Sequence, residues 1–318
     1  MAESPILEAR DLRVDYGALT AVHGLSLRLE AGQIMGLVGP NGAGKTSTIR
    51  VLATLLDPTH GDVRVCGHDI FEAPAAARAC IGYMPDLAPV NPDLRVGEFL
   101  EVYDRAYGMP DRDRAFRLDR ALRAVGLEAS RKGRARELSR GMTQRLVLAK
   151  TLLHEPDFLL LDEPASGMDP IARRDLRDIL KAQSAEGRAV LVSSHILSEL
   201  ADMCTHVAIM HKGHLRACGS VEEISRSFRQ AAARPVRVRL AGEAAPLARW
   251  LESQPAVAAL AHEGERLRFD FTGEEADAAA LLRAIVQAGF LVCGFEVQRP
   301  SLEDILAELH AEPGEAKA

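Results

Sequence analysis

One stretch decides how this chain folds: Gly39-Pro40-Asn41-Gly42-Ala43-Gly44-Lys45-Thr46. It fits the pattern G-x-x-x-x-G-K-[ST] at every fixed position. An apolar run at residues 34–38 leads into it, and a run compatible with a helix, residues 46–56, leads out of it. This order predicts a strand, a phosphate-binding loop and a helix, which is the context that the motif needs if it is to hold phosphates.

The residues of the loop have separate tasks. Glycines let the backbone turn tightly, so that successive N–H groups point at an anion beside the N-terminus of the following helix. Lys45 would reach the β- and γ-phosphates of a nucleotide, and the Thr46 hydroxyl would bind Mg²⁺. Lys45 is also the only lysine in the first 131 residues. We expect the nucleotide to be bound by Gly39, Pro40, Asn41, Gly42, Ala43, Gly44, Lys45, Thr46 and Ser47.

The composition argues against several classes of protein. Of 318 residues, 47% are apolar and 26% are charged, which is typical of a globular protein. The net charge of −6 and the pI near 6.0 disfavour a nucleic-acid partner. No secretory leader and no run of ~18 apolar residues is seen, so a soluble cytoplasmic chain is expected. Scattered cysteines without a C-x-x-C pair predict reduced thiols rather than disulfides or a zinc site; they are Cys66, Cys80, Cys204, Cys218 and Cys293.

The alternation of strands and helices predicts an α/β fold around the loop. Four apolar residues at 158–161, bounded by prolines, are typical of a parallel strand buried on both faces. A helix at residues 170–182 and a second buried strand at residues 189–194 follow. We therefore expect a mixed or parallel sheet that is covered by helices.

Two further parts of the chain differ in their pattern of apolar residues and in the elements that this pattern predicts. Residues 94–153 carry apolar side chains at spacings of three and four, which indicates an inserted helical subdomain at about 87–155. After a linker near residues 227–235, the order strand–helix–strand–strand–helix–strand suggests a small ferredoxin-like α+β domain, which either regulates the protein or stabilises a dimer. Ser301 and Asp304 form the capping pattern of a last helix. The expected domains are residues 1–228, residues 235–312 and a flexible tail at 313–318.

Three polar residues directly follow the two buried strands. Asp162 and Glu163 come after the first strand, and His195 comes after the second. Because the carboxyl ends of parallel strands meet at one edge, we expect these side chains to lie near the phosphate loop. Asp162 would hold Mg²⁺, and Glu163 would orient and deprotonate a water. The alternative is that the Asp-Glu pair caps a helix or forms a solvated turn.

A second motif, Leu138-Ser139-Arg140-Gly141-Met142-Thr143-Gln144-Arg145, lies upstream of these carboxylates. Alone it is only a capped helix start. Between a phosphate loop and Leu-Leu-Leu-Asp-Glu-Pro it resembles the signature motif of ABC-type ATPases, Leu-Ser-Gly-Gly-Gln. The motifs then follow in the order of that family: Tyr16 as the adenine-stacking aromatic, residues 39–46 as the Walker A loop, Asp86 at the Q-loop, Ser139, Arg140, Gly141 and Met142 as the signature, Asp162 and Glu163 as Walker B, Asp169 in the D-loop, and His195 as the switch histidine.

The resemblance covers about residues 5–225 and implies an enzyme that hydrolyses ATP with the help of Mg²⁺. In this family the signature faces ATP bound to a partner subunit, which implies two copies of the chain paired head to tail. Tyr16 stays open to a second interpretation, as an ordinary edge-strand tyrosine. The implied catalytic residues are Lys45, Glu163 and His195, and the implied metal ligands are Thr46, Asp86 and Asp162.

The end of the chain narrows the resemblance. Pro300-Ser301-Leu302-Glu303-Asp304 looks like the carboxy-terminal extension of bacterial drug- and antibiotic-export ABC ATPases, and similar extensions occur in lipid-exporter relatives. Such subunits attach to the inner face of the cell membrane through separate transmembrane permease subunits, which are the implied partners. The alternative is a non-transport ABC ATPase of DNA repair, chromosome structure or translation. Those proteins usually need long coiled coils, zinc insertions or two fused cassettes, none of which this sequence indicates.

Three of the matched motifs depart from the family pattern. The D-loop has Gly167-Met168 where Ala-Leu is commoner, which is the mildest of the changes. Asp86 stands where the Q-loop usually has glutamine, and its carboxylate would either strengthen metal binding or alter coupling to the membrane partner. In the signature, Arg140 replaces the first glycine and Met142 replaces the glutamine. Because Ser139 and Gly141 keep the positions nearest to phosphate, we expect the motif to function.

Overall fold

A computed structural model of the chain describes residues 4–196, 200, 202–224, 234–263, 266–273 and 275–297. The chain divides into two compact units, Met1–Val221 and Glu222–Ala318. Most of the expected linker, the capping pattern at Ser301 and Asp304, and the expected tail at 313–318 lie outside the described residues. Among the helices that are described, none is both long and apolar enough to cross a membrane.

The centre of the first unit is a six-stranded mixed sheet. All neighbouring strands in it are parallel except the antiparallel pair at one edge. Four apolar side chains in a row are fully buried in the strand that starts at Phe158, as the sequence predicts for a strand covered on both faces. In spatial order the strands are β10 (His214–Ser220), β9 (His206–His211), β3 (Ile34–Val38), β8 (Ala189–Ser194), β7 (Phe158–Leu161) and β6 (Ile81–Met84).

A second, antiparallel sheet shares the hydrophobic core of this unit. Its strands are, in spatial order, β2 (Leu19–Leu29), β1 (Leu7–Tyr16), β4 (His60–Val65) and β5 (His68–Asp69). Apolar side chains from β1 and β2 join those of β3 and β7 and of the first helix in one buried cluster. The core therefore lies between the two sheets, and it supports the loop that joins β3 to that helix.

The first helix, α1 (Lys45–Leu52), is shorter than the expected run to residue 56. Thr54 adopts a left-handed conformation with φ of 59°, which ends the helix. The N–H of Leu55 then donates to the carbonyl of Arg50 at 2.8 Å, and the N–H of Thr54 donates to that of Val51 at 2.9 Å. These are the bonds of a Schellman C-cap, which normally uses glycine at the position of Thr54.

The inserted segment is helical, as expected. A buried ion pair joins two of its helices, α3 (Val96–Ala106) and α4 (Arg114–Ala124). Asp104 on α3 is fully buried and accepts from Arg117 Nε on α4 at 2.8 Å. A capping box formed by Arg95 and Glu98 lies at the start of α3. In the described part of the first unit, the α-helices named after α1 are α2 (Pro74–Cys80), α3 (Val96–Ala106), α4 (Arg114–Ala124), α5 (Arg140–Leu152) and α6 (Pro170–Ala185).

The second unit is an α+β sandwich with the predicted element order. Its four strands form an antiparallel sheet in the order β12-β13-β11-β14, which is the arrangement of a ferredoxin-like fold. Alternate residues of the strands, such as Val236, Val238 and Phe269, are buried in one cluster with apolar side chains of the two described helices. The elements are β11 (Arg234–Leu240), α7 (Ala245–Glu252), β12 (Val257–Glu263), β13 (Arg266–Phe271), α8 (Glu275–Gln287) and β14 (Val292–Val297).

Candidate active site

A cleft of about 670 Å³ opens beside the loop between β3 and α1. This volume suits a ligand of nucleotide size. Residues from the ends of β1, β6, β7 and β8 meet the loop there, so the strand-end positions singled out in the sequence do converge. The cleft is lined by Tyr16, Leu19, Thr20, Ala21, Asn41, Gly42, Ala43, Gly44, Lys45, Thr46, Ser47, Asp86, Glu163, Ser166, His195, Lys212 and Gly213.

The loop has the glycine conformations that its motif requires. Gly44 has φ of 99°, and a β-carbon at this position would lie 2.5 Å from the carbonyl oxygen of Ala21. Gly39 is equally confined, because a β-carbon there would lie 2.3 Å from the carbonyl oxygen of Met210. The loop therefore packs against β2 and β9 so closely that only glycine fits.

The side chain of Lys45 folds back over the loop. Its Nζ donates to the carbonyl oxygens of Gly39 at 2.6 Å and Pro40 at 3.2 Å, and it lies 3.8 Å from Glu163 Oε1. Lys45 is only 6% exposed. Burial lowers its pKa, and the negative charges of Glu163 and Asp162 oppose that shift. The ammonium group is thus held, largely dehydrated, at the floor of the cleft, where an anion would interact with it strongly.

A buried serine connects the two acidic residues that follow β7. Ser193 Oγ donates to Asp162 Oδ1 at 2.6 Å, and it accepts from the backbone N–H of Glu163 at 2.9 Å. Burial raises the pKa of Asp162, the bond from Ser193 opposes this, and the nearby charges of Glu163 and Asp86 raise it further. Sequence reasoning missed Ser193. Its only signal was the hydroxyl pair that ends the apolar strand before His195.

Glu163 lies between two nitrogen groups. Its Oε2 is 2.8 Å from His195 Nδ1, and its Oε1 is on the side of Lys45. The residue has φ of 48°, a left-handed conformation that is uncommon for a side chain of this kind. The bond from its N–H to Ser193 helps to hold that conformation, which turns the carboxylate into the cleft.

The signature residues form the start of α5, outside the set that lines the cleft. Ser139 is the N-cap, and its Oγ accepts from the N–H of Met142 at 3.3 Å. A β-carbon on Gly141 would lie 2.7 Å from the β-carbon of Ala172 on α6, so α5 and α6 approach closely here. Ser139 and Arg140 are exposed.

The D-loop lies next to the signature. The Asp169 carboxylate caps α6 by accepting from the N–H groups of Ile171 and Ala172, both at 2.9 Å. The guanidinium of Arg140 covers Gly167, whose φ is 64°, so that a β-carbon there would collide with it. The arginine that replaces the usual signature glycine is thus accommodated by a glycine of the D-loop segment.

Several lining residues were missed in the sequence. Leu19, Thr20 and Ala21 belong to the start of β2, and Lys212 and Gly213 form the turn between β9 and β10. A Lys-Gly pair signals a turn in the sequence. Its position beside the phosphate loop depends on β9 lying next to β3, which no local pattern predicts.

Comparison with known proteins assigns the family. The sequence model of the ABC transporter family matches residues 22–166, and that of the DrrA1-3-like C-terminal domain matches residues 219–309. The Nod factor export ATP-binding protein I of Cupriavidus metallidurans is 36% identical over 219 residues, which are 69% of this chain and 72% of that protein. The ABC transporter ATP-binding protein YxlF of Bacillus subtilis is 32% identical over 309 residues, which are 96% of this chain and all of that protein.

A solved structure supports the same assignment. The ATP-binding subunit of an ABC transporter superposes with a TM-score of 0.63 at 30% identity, and the match covers 70% of this chain and 93% of that one. The expected fold class is confirmed, and the comparisons favour the transporter ATPase over the non-transport alternative. The chain belongs to the ABC transporter family, as an ATP-binding subunit and ATPase with a DrrA-like carboxy-terminal domain.

Proposed function

We propose that this chain hydrolyses ATP with Mg²⁺ to drive export through separate transmembrane permease subunits. The observation that carries the proposal is the position of Glu163 in the cleft, between Lys45 and His195. A relative from Cupriavidus metallidurans is named for export, which supports that direction of transport. In this proposal the chain is attached to the inner face of the membrane by its permease.

ATP would lie along the cleft with its phosphates on the loop. The N–H groups of residues 41–47 surround the phosphates at the N-terminus of α1, where the helix dipole favours negative charge. Lys45 would exchange its bonds to backbone carbonyls for bonds to the β- and γ-phosphates. Tyr16 is 44% exposed at the cleft, and its hydroxyl lies 3.4 Å from Ser47 Oγ, so its ring is available to stack on adenine.

The oxygen donors of the cleft fit Mg²⁺. Thr46 and Asp86 line the cleft and supply a hydroxyl and a carboxylate. Asp162 is outside the lining set, but Ser193 joins it to Glu163, which lines the cleft, and it supplies a second carboxylate. Such oxygen atoms are the hard ligands that this ion prefers. Burial raises the pKa of Asp162, and repulsion from the negative charges of Glu163 and Asp86 raises it further. A divalent cation would relieve that repulsion. When bound, Mg²⁺ would neutralise charge on the phosphate oxygens.

The chain's own groups would then perform hydrolysis. Glu163 would orient a water and accept its proton at a carboxylate oxygen. Lys45 would stabilise the charge that develops on the γ-phosphate, and His195 would hold Glu163 and contact the same phosphate. Ser193 would hold Asp162 and Glu163 in their positions relative to each other. The partly exposed imidazole of His195 is placed to sense whether a γ-phosphate is present.

A second copy would complete the site. Ser139 and Arg140 are exposed at the N-terminus of α5 and do not belong to the set of residues that lines their own chain's cleft. In a head-to-tail dimer, Ser139, Gly141 and the α5 N-terminus of one copy would face the γ-phosphate held by the other copy. Each ATP would then lie between residues 39–46 of one chain and residues 139–142 of its partner.

The test is a Glu163→Gln variant of the full-length protein. We expect it to bind ATP, to dimerise with ATP in size-exclusion chromatography, and to hydrolyse ATP at least about 100-fold more slowly, because the base is lost and the shape is kept. Glu186→Gln, an exposed glutamate at the end of α6, is the matched control and should retain the wild-type rate. Undiminished turnover in Glu163→Gln would remove Glu163 from this role.

The partner is tested separately. Purification from membranes with a polytopic protein supports export coupling, whereas co-purification with nucleic acid or ribosomes would contradict it. This outcome is independent of the Glu163 result, because hydrolysis alone does not identify the process that it drives.

A further inference from the structure

Three side chains with metal-binding atoms meet in the first unit, outside the set that lines the nucleotide cleft. The Sγ atoms of Cys66 and Cys80 and a carboxylate oxygen of Asp157 all lie within 4.8 Å of one another. The two cysteines are half-buried and Asp157 is exposed. The residues come from separate parts of the chain: the turn between β4 and β5, the end of α2, and the segment before β7.

The cluster and the cleft lie at opposite ends of the strands of the central sheet. Cys80 directly precedes β6, and Asp157 directly precedes β7. These two strands are parallel neighbours, and their other ends lead to Asp86 and Asp162. The cluster is therefore at the amino ends of the strands whose carboxyl ends carry the proposed magnesium ligands.

We propose that Cys66, Cys80 and Asp157 form a binding site for a thiophilic divalent cation, of which Zn²⁺ fits best. Zinc binds thiolate sulfur at ~2.3 Å and carboxylate oxygen at ~2.0–2.2 Å, commonly in a tetrahedron. Two sulfurs on such a tetrahedron are ~3.8 Å apart, so the present spacing needs a contraction of no more than about 1 Å. Water takes the fourth position, and the two thiol protons are released to solvent when the ion binds.

The local structure favours an ion over a disulfide or two inert thiols. Within the described part of the chain, no hydrogen bond or ion pair involves the Asp157 carboxylate, although it lies beside two thiols. A disulfide would leave that carboxylate without a role. Cys66 has φ of 49°, a left-handed conformation in which glycine or asparagine would be less strained. The thiol of Cys80 donates a long bond, 3.5 Å, to the carbonyl oxygen of Ala76.

Binding would fasten the antiparallel sheet to the central sheet. Cys66 follows β4, whereas Cys80 and Asp157 precede β6 and β7, so one ion would join both sheets. An ion that binds the folded state and not the unfolded chain stabilises the fold by RT ln(1 + c/Kd), which increases with the free ion concentration c. The wide spacing of these residues in the sequence is the reason that no metal motif was visible there.

Cobalt titration tests the site directly. Reduced, chelator-treated full-length protein, without ATP, is titrated with Co²⁺, and the thiolate-to-cobalt charge-transfer band in the near ultraviolet is recorded. We expect a band that saturates at one equivalent. A magnesium site with only oxygen ligands gives no such band. Cys66→Ser and Cys80→Ser should each abolish it, Asp157→Asn should raise the midpoint at least about tenfold, and Cys218→Ser, at an exposed cysteine of β10, should keep it.

Thermal unfolding gives a second measurement, which still tests the proposal if the Cys66 and Cys80 variants do not fold. Zn²⁺ should raise the Tm of the wild type and of Cys218→Ser, and should raise that of Asp157→Asn much less; this exposed carboxylate is replaced without disturbing the core. The proposal is overturned if the reduced wild type shows no charge-transfer band, or if the band persists in Cys80→Ser. It is also overturned if mild oxidation joins the two cysteines while cobalt does not bind. None of these outcomes bears on ATP hydrolysis, since the measurements are made without nucleotide.

Discussion

Replacing Ser193 with alanine would remove one hydroxyl and leave two polar groups without their partner. Ser193 is fully buried, donates to Asp162 Oδ1 at 2.6 Å and accepts from the N–H of Glu163 at 2.9 Å. A hydrogen bond to a charged group contributes about 1.5–3 kcal/mol, and an unsatisfied buried donor costs about 1–3 kcal/mol. Because water in the cleft can partly replace both partners, the lower values apply. We expect Ser193→Ala to lower the free energy of unfolding by about 2.5 kcal/mol at pH 7.

The pH dependence of this loss follows from Asp162. Burial holds its pKa above the usual value, so the ionised carboxylate costs free energy of folding at neutral pH; this cost shrinks as the pH falls through the raised folded-state pKa and is gone below the usual value. The bond from Ser193 reduces that cost only while Asp162 is ionised, and bonds to charged groups are roughly twice as strong as neutral ones. The difference between wild type and Ser193→Ala should therefore be largest at neutral pH and shrink under acidic conditions.

Urea denaturation followed by circular dichroism at several pH values measures this difference. The single tryptophan, Trp250, lies in the second unit, so its fluorescence follows that unit separately and serves as an internal reference. Ser184→Ala is the matched control, because its hydroxyl donates to the neutral carbonyl oxygen of Gly32 at 2.6 Å and its loss should cost about 1 kcal/mol. A loss of less than about 1 kcal/mol in Ser193→Ala, or a loss that does not change with pH, would refute the reasoning.

Three further substitutions test other parts of the molecule. Lys45→Met should abolish the rise in Tm that ATP causes, yet change the unfolding free energy of the ATP-free protein by less than about 1 kcal/mol, because an apolar side chain replaces a buried charge. Gly44→Ala should cost at least about 2 kcal/mol because its β-carbon would meet a backbone oxygen, whereas Gly42→Ala, with open space around it, should cost about 1 kcal/mol; both are measured by urea denaturation. Asp104→Asn should cost about 3 kcal/mol at pH 7 by the same measurement, because Arg117 stays buried. Burial raises the pKa of Asp104, but the bonds from its arginines outweigh this and hold it low, so the loss should disappear in acid.

Local chemistry made much of the fold predictable. The apolar run of β7 and the alternation of strands and helices indicate a parallel sheet, since those patterns record burial on both faces. The end of α1 was not predictable, because the left-handed turn at Thr54 uses a residue that does not favour it. For the same reason the left-handed conformation of Glu163 left no trace in the sequence.

The sequence by itself determined the family, because the phosphate loop, the signature and the Asp162-Glu163 pair are short motifs whose chemistry depends on neighbours along the chain. Only the tertiary structure decided which residues meet. The bridge through Ser193, the contact of Glu163 with His195, and the meeting of Cys66, Cys80 and Asp157 all join segments that are far apart in the chain. Such contacts depend on the order and register of strands in the sheet, and local periodicity specifies only which face of a strand is buried.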